Sequence, residues 1–98
     1  MRFELRLPFE LLRSGSKALG KVGETKNVSS GGVLFTADAE VAVGQPIEFV
    51  ITLPTGAQGC SVRLRCMGKV VRLEHEEIGS DPAFAATLER FEFVRKGL

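Results

Sequence analysis

The 98 residues include no tryptophan, no tyrosine, one histidine and two cysteines. Each shortage closes off a class of chemistry. The single histidine, His75, lies in a charged run with Glu76 and Glu77. Cys60 and Cys66 lack the CxxC spacing that would complete a zinc site around it. Two cysteines are too few for a disulfide framework. On one strand, residues six apart stand about 20 Å from each other, so both cysteines read as free thiols. Neither a P-loop nor a nucleophile-elbow pattern occurs. These absences predict a protein that is not an enzyme, with no catalytic residues, no metal and no cofactor.

Charge of one sign is also lacking, since 13 Lys and Arg against 12 Asp and Glu leave a net +1. No global field would draw the chain onto DNA or RNA, and any anion site must be local. The longest apolar runs are only a few residues, which excludes direct membrane insertion through a helix. The N-terminus alternates charged with apolar residues, whereas an export signal would place a basic region before an apolar block. A cytoplasmic, reducing location is therefore expected.

What is present is ordinary globular usage, with 44% hydrophobic and 26% charged residues. The length suits one domain over residues 1 to 98. Residues 2 to 11 alternate, with Phe3, Leu5, Leu7, Phe9 and Leu11 against Arg2, Glu4, Arg6 and Glu10. That is a half-buried strand. The glycine- and serine-rich stretch after Arg13 predicts a turn leading into a weaker strand that ends near Val28. Further strands are predicted over residues 32 to 36, 47 to 53 and 61 to 74, with turn chemistry at Pro54-Thr55-Gly56 and a polar loop over 75 to 82. Val70, Val71 and Leu73 cannot share one alternation, so a β-bulge is expected near Gly68. Residues 84 to 93 fit either two strand phases or a helical stripe through Phe84, Leu88 and Phe91. The strand is preferred because a closed barrel needs its last member.

The most informative stretch is Asn27-Val28-Ser29-Ser30-Gly31-Gly32. Asn and Ser offer short hydrogen-bonding groups, and glycine permits positive φ and close approach to the main chain. A strand junction of this kind can hold a polar ring edge or an anion. A plain tight turn favours the same residues.

In this arrangement the chain resembles a PilZ domain over nearly its whole length. The [DN]xSxxG signature of that family matches Asn27, Ser29 and Gly32, and Gly31-Gly32-Val33-Leu34-Phe35 continues as the apolar strand that follows it. Arg2-Phe3 with Leu7-Pro8 resembles the first strand, Gly68-Lys69-Val70-Val71-Arg72 the Gly-x-Val-Val-x stretch, and residues 86 to 91 the closing strand. The resemblance implies an all-β fold, a six-stranded antiparallel split barrel, with a short C-terminal helical segment left open. It also implies a receptor for the bacterial messenger cyclic di-GMP that acts on an effector protein or adjoining domain.

The second signature of the family, RxxxR, implies two arginines that grip phosphate and guanine, a task suited to the planar guanidinium. Arg2-Phe3-Glu4-Leu5-Arg6 satisfies it, which makes Arg2 and Arg6 the clamp. Aligning Leu7-Pro8 with the first strand of the family instead makes Arg2 the second arginine and leaves no residue for the first. A solvated face shared with Glu4 and Glu10 is the competing role for both. The ligand-binding set is thus Arg2, Arg6, Asn27, Ser29, Gly31 and Gly32, with an adaptor that has lost the nucleotide as the alternative function. Arg63, Arg65, Lys69 and Arg72 form a basic strand face that reads as solvated surface. Phe84, Phe91 and Phe93 read as core or interface. The residues carry no reading of the oligomeric state.

Overall fold

The computed structural model describes residues 6–39, 41–54, 61–74 and 82–94. Arg2, Cys60, His75 and the Thr55 and Gly56 turn lie outside them. Seven strands follow in chain order: β1 (Pro8–Ser14), β2 (Lys17–Val28), β3 (Gly32–Ala37), β4 (Pro46–Pro54), β5 (Ser61–Glu74), β6 (Ala83–Thr87) and β7 (Arg90–Val94). Their neighbour order is β4-β1-β2-β3-β6-β5, and a β4–β5 pairing closes the ring into a six-stranded antiparallel barrel. Closure gives each of these six strands a neighbour on both sides over part of its length, while residues 17–22 of β2 pair with β1 alone.

β7 lies outside the ring. It pairs with β5 over Arg63 to Met67, next to the stretch of β5, from Val70 to Glu74, that β6 occupies. The segment expected as one closing strand is therefore two, interrupted at Leu88 and Glu89. No helix forms among the described residues. A helical stripe would have buried Phe84 and Phe91 together, whereas Phe84 is 2% exposed and Phe91 64%. At the interruption the Lys69 N–H donates to Thr87 Oγ1 (2.9 Å) and the Glu89 N–H to the Met67 carbonyl (2.9 Å). Gly68 is required here, because a Cβ at that position would overlap the Thr87 carbonyl.

The first strand continues to Ser14, so Arg13 is a strand residue and the predicted turn narrows to Gly15 and Ser16. β2, β3, β4 and β5 match the expected segments closely. The bulge expected near Gly68 lies three residues further on, at Val71, between Val70 and Arg72, and the register through Gly68 is regular. Three further register shifts were not anticipated: at Leu12 of β1 against β4, at Leu19 and Gly20 of β2 against β1, and at Lys26 of β2 against β3.

Inward positions build a core from phenylalanines of four different strands. Phe9 stacks on Phe35 at a centroid distance of 4.2 Å and on Phe49 at 5.1 Å, and Phe35 meets Phe84 at 5.5 Å. Leu11, Ile51, Cys66 and Val70 complete the packing, each at most 2% exposed. Thr25 is buried too, and its Oγ1 accepts the Leu7 N–H at 2.8 Å, which ties the chain before β1 to β2.

The outer face of β5 is neutralised by its neighbours. Arg63 pairs with Glu10 of β1 at 3.2 Å and Arg65 with Glu48 of β4 at 2.7 Å. The hydrogen bond that Arg65 donates to Glu48, ahead of the charge of that carboxylate, holds the guanidinium above the usual arginine range. The surface role expected for this basic stripe accords with these pairs.

Two stability measurements follow. Phe35→Ala removes the ring that contacts three others and should cost about 3–5 kcal/mol in urea unfolding. Burial pushes the Cys66 thiol from 9.0 up to about 11. The folded state therefore favours the protonated thiol, and its advantage is complete below pH 9 and lost as pH rises towards 11. Between pH 8.5 and 11 the native chain should lose about 2 kcal/mol more than Cys66→Ala does, each against its own value at pH 8.

Candidate functional site

Side chains in a strand alternate between faces, so a single inserted residue exchanges inside for outside beyond it. Thr25 faces the core opposite Phe35. Plain alternation would turn Asn27 inward as well. The extra residue Lys26 instead sets Asn27 opposite Leu34 on the outer face and returns Val28 to the core beside Val33. The same device operates in β5. Val70 is buried opposite Ala86, and the inserted Val71 sets Arg72 opposite Ala85 on the outside.

The two bulges flank β3 and β6 and aim their polar residues at one place. Registers run Asn27 to Leu34, Leu34 to Ala85 and Ala85 to Arg72, a single row across four strands. Asn27 and Arg72 thus stand three strand spacings of ~4.8 Å apart, or about 14 Å, with short or apolar side chains between them. This row crosses an open cleft of about 270 Å³ lined also by Ser29, Gly31, Gly32, Val71 and Thr87. Asn27 makes no side-chain hydrogen bond among the described residues. Arg72 is ion-paired with Glu74 at 2.8 Å while its side chain stays 57% exposed.

The end of the cleft is the β2–β3 hairpin. The Ser29 N–H donates to the Gly32 carbonyl at 2.9 Å, and its hydroxyl makes a longer contact, 3.3 Å, with the same oxygen. The Leu88 N–H donates to the Gly31 carbonyl at 3.1 Å, which fastens the hairpin to the end of β6. Neither glycine has positive φ, contrary to the first of the two reasons expected for them. Gly32 is favoured by proximity, because a Cβ there would stand 3.0 Å from the Ala86 carbonyl oxygen and push it back by a few tenths of an ångström. A Cβ on Gly31 would meet nothing within 4 Å, so its main chain is open to an incoming molecule.

Of the six residues singled out from sequence, the structure brings Asn27, Ser29, Gly31 and Gly32 together in this lining. Arg6 is not part of it; its guanidinium lies 3.6 Å from Glu24, on a side chain 74% exposed. Arg2 lies outside the described residues. Arg72, Val71 and Thr87 are lining residues that the motif did not indicate. The phase slip in β5 was the signal for Arg72, since it determines which face that side chain takes. Among the described residues no cluster of three His, Cys, Asp or Glu side chains is placed to hold a metal ion. No helix there is long and apolar enough to cross a membrane.

A closed antiparallel barrel with a polar-ended cleft across β2, β3, β6 and β5 defines the class: a small all-β barrel domain with an open surface site. The family model described as "PilZ domain" matches residues 1–95, and the chain belongs to the PilZ domain family. That family comprises cyclic di-GMP receptors and adaptors. A solved structure with the same fold is that of Bacillus subtilis Inhibitor of motility (MotI/DgrA), at a TM-score of 0.69 and 15% identity. The match covers 93% of this chain and 41% of that one, so this chain spans under half of its structural neighbour. No curated protein matches the sequence.

The roles of the two glycines separate by mutation. Gly32→Ala should lose about 1 kcal/mol as Ala86 is pushed aside. Gly31→Ala, with ordinary φ and open space, should be neutral or gain about 0.5 kcal/mol. Urea unfolding of the two variants checks both values.

Proposed function

We propose that this domain is a cytoplasmic cyclic di-GMP-binding module that changes its contacts with a protein partner when the nucleotide binds. The observation that carries this reading is the single outer row from Asn27 to Arg72, with Ser29 and the open Gly31 backbone at one end. Asn27 and Ser29 meet a guanine edge through short donors and acceptors. Arg72, the charged residue of the lining, exchanges Glu74 for a ligand phosphate, to which a guanidinium can donate two parallel hydrogen bonds. Val71, Leu34 and Ala85 provide an apolar floor for a base. Arg2 supplies a further cation from the N-terminal segment.

A second reading is favoured by one observation: Arg6 is engaged with Glu24 and does not line the cleft. On that reading the domain is an adaptor that has lost the nucleotide and works through protein contacts alone. Differential thermal unfolding decides between the two. Cyclic di-GMP at a hundred times Kd should add about 2.7 kcal/mol of stability. Asn27→Ala and Arg72→Ala should each weaken binding at least tenfold, Arg6→Ala should leave it unchanged, and Arg2→Ala should weaken it. Absence of any shift at millimolar nucleotide establishes the adaptor.

A further inference from the structure

Strand β7 is the one strand among the described residues that has a neighbour on one side only along its whole length. Its backbone groups on the other side have no ladder partner, which makes the strand a template for another extended chain. It also carries the exposed aromatic side chains of the described residues, Phe91 at 64% and Phe93 at 62%. Both lie on the inner face, opposite Cys66 and Leu64, but beyond the closed ring that covers those two. Arg90 and Glu92 take the outer face, opposite Met67 and Arg65. No proline interrupts the strand.

The order Arg90-Phe91-Glu92 is self-complementary. When two copies of β7 run antiparallel about a two-fold axis at Phe91, Arg90 stands opposite the partner's Glu92, and Glu92 opposite the partner's Arg90. Phe91 faces its own symmetry mate, and Phe93 lies on the diagonal to the partner's Phe91, within reach of an aromatic side chain. A two-fold interface requires this property, since the same patch must satisfy itself. An effector strand of arbitrary sequence would not require it. From the symmetric charge pattern and the exposed aromatic pair, we infer that β7 joins the β7 of a second copy of this chain in a symmetric antiparallel strand pair. The two barrels then share one continuous sheet through β5 and β7.

Sedimentation equilibrium on the full chain, from micromolar to millimolar concentration, tests the pairing. The native chain should pass from monomer to dimer. Arg90→Glu and Glu92→Arg should each weaken the dimer about tenfold or more, because each makes both symmetric pairs repulsive. Mixed in equal amounts, these two variants should form a heterodimer, since every 90–92 pair across the axis again joins opposite charges. Unchanged thermal unfolding of each variant at micromolar concentration will show that β7 is still folded. A native chain that stays monomeric at millimolar concentration would overturn the inference. So would a dimer indifferent to Arg90→Glu, or a mixture no more associated than its components.

Discussion

Every strand of a closed barrel has one face committed to the core, and a side chain cannot change face unless the chain gains or loses a residue. This constraint governs the molecule. At three places a strand holds one residue more than a neighbour: Leu12 of β1 against β4, Lys26 of β2 against β3 and Val71 of β5 against β6. In each case the residue after the insertion is polar and would otherwise follow a buried neighbour inward: Arg13 after Leu11, Asn27 after Thr25, Arg72 after Val70. Leaving a guanidinium or a carboxamide in a core of stacked phenylalanines would cost several kcal/mol. The bulges avoid that cost, and two of them place polar residues at opposite ends of one cleft.

The core and the cleft therefore make different demands on the same strands. β3 sends Val33, Phe35 and Ala37 inward and Gly32 and Leu34 outward, while β6 sends Phe84 and Ala86 inward and Ala85 and Thr87 outward. Phe35 and Phe84 among the inward residues supply two of the four rings that pack together, with Ala37 and Ala86 filling the space beside them. Apart from Leu34, the outward residues named are small or short, so the floor stays low between Asn27 and Arg72. A bulky side chain at Ala85 would leave the core intact and fill the cleft, so stability and recognition are separable by face.

The sequence disclosed the barrel because its alternation is long and regular where strands are half-buried. The stretch from Phe9 to Leu11, in a strand that begins at Pro8, and the block from Val62 to Cys66 are read directly from period two. The hairpin glycines were visible as residue types, but their reason was not. Gly32 answers to a carbonyl on β6, a strand more than 50 residues away in the chain, and no local pattern contains that contact. The bulge at Val71 was legible because three aliphatic residues, Val70, Val71 and Leu73, overcrowd one phase. The bulge at Lys26 was not, because Thr25 reveals its buried role only through the Leu7 amide that it satisfies. The split of the last strand was hidden for the same kind of reason: Phe84 and Phe91 look alike in sequence, and only the limit of the closed ring separates a core ring from an exposed one.

Thr87 joins the two surfaces considered above. It lines the cleft, and its hydroxyl accepts from the Lys69 amide and donates to the Glu89 carboxylate at 2.7 Å. Glu89 in turn is anchored to Met67 at the point where β7 begins. A molecule seated between Asn27 and Arg72 would contact the same residue that determines where the chain leaves β6. β5 links the regions a second time, because its last five residues carry Arg72 while Arg63 to Met67 carry β7. A change of partner at Arg72 or Thr87 is thus applied at the junction of the ring and the outlying strand. There the ladder is held by side-chain as well as main-chain bonds, and no second neighbour among the described residues restrains β7. β7 has one strand neighbour and two exposed rings, so fewer contacts hold it than hold the strands of the ring.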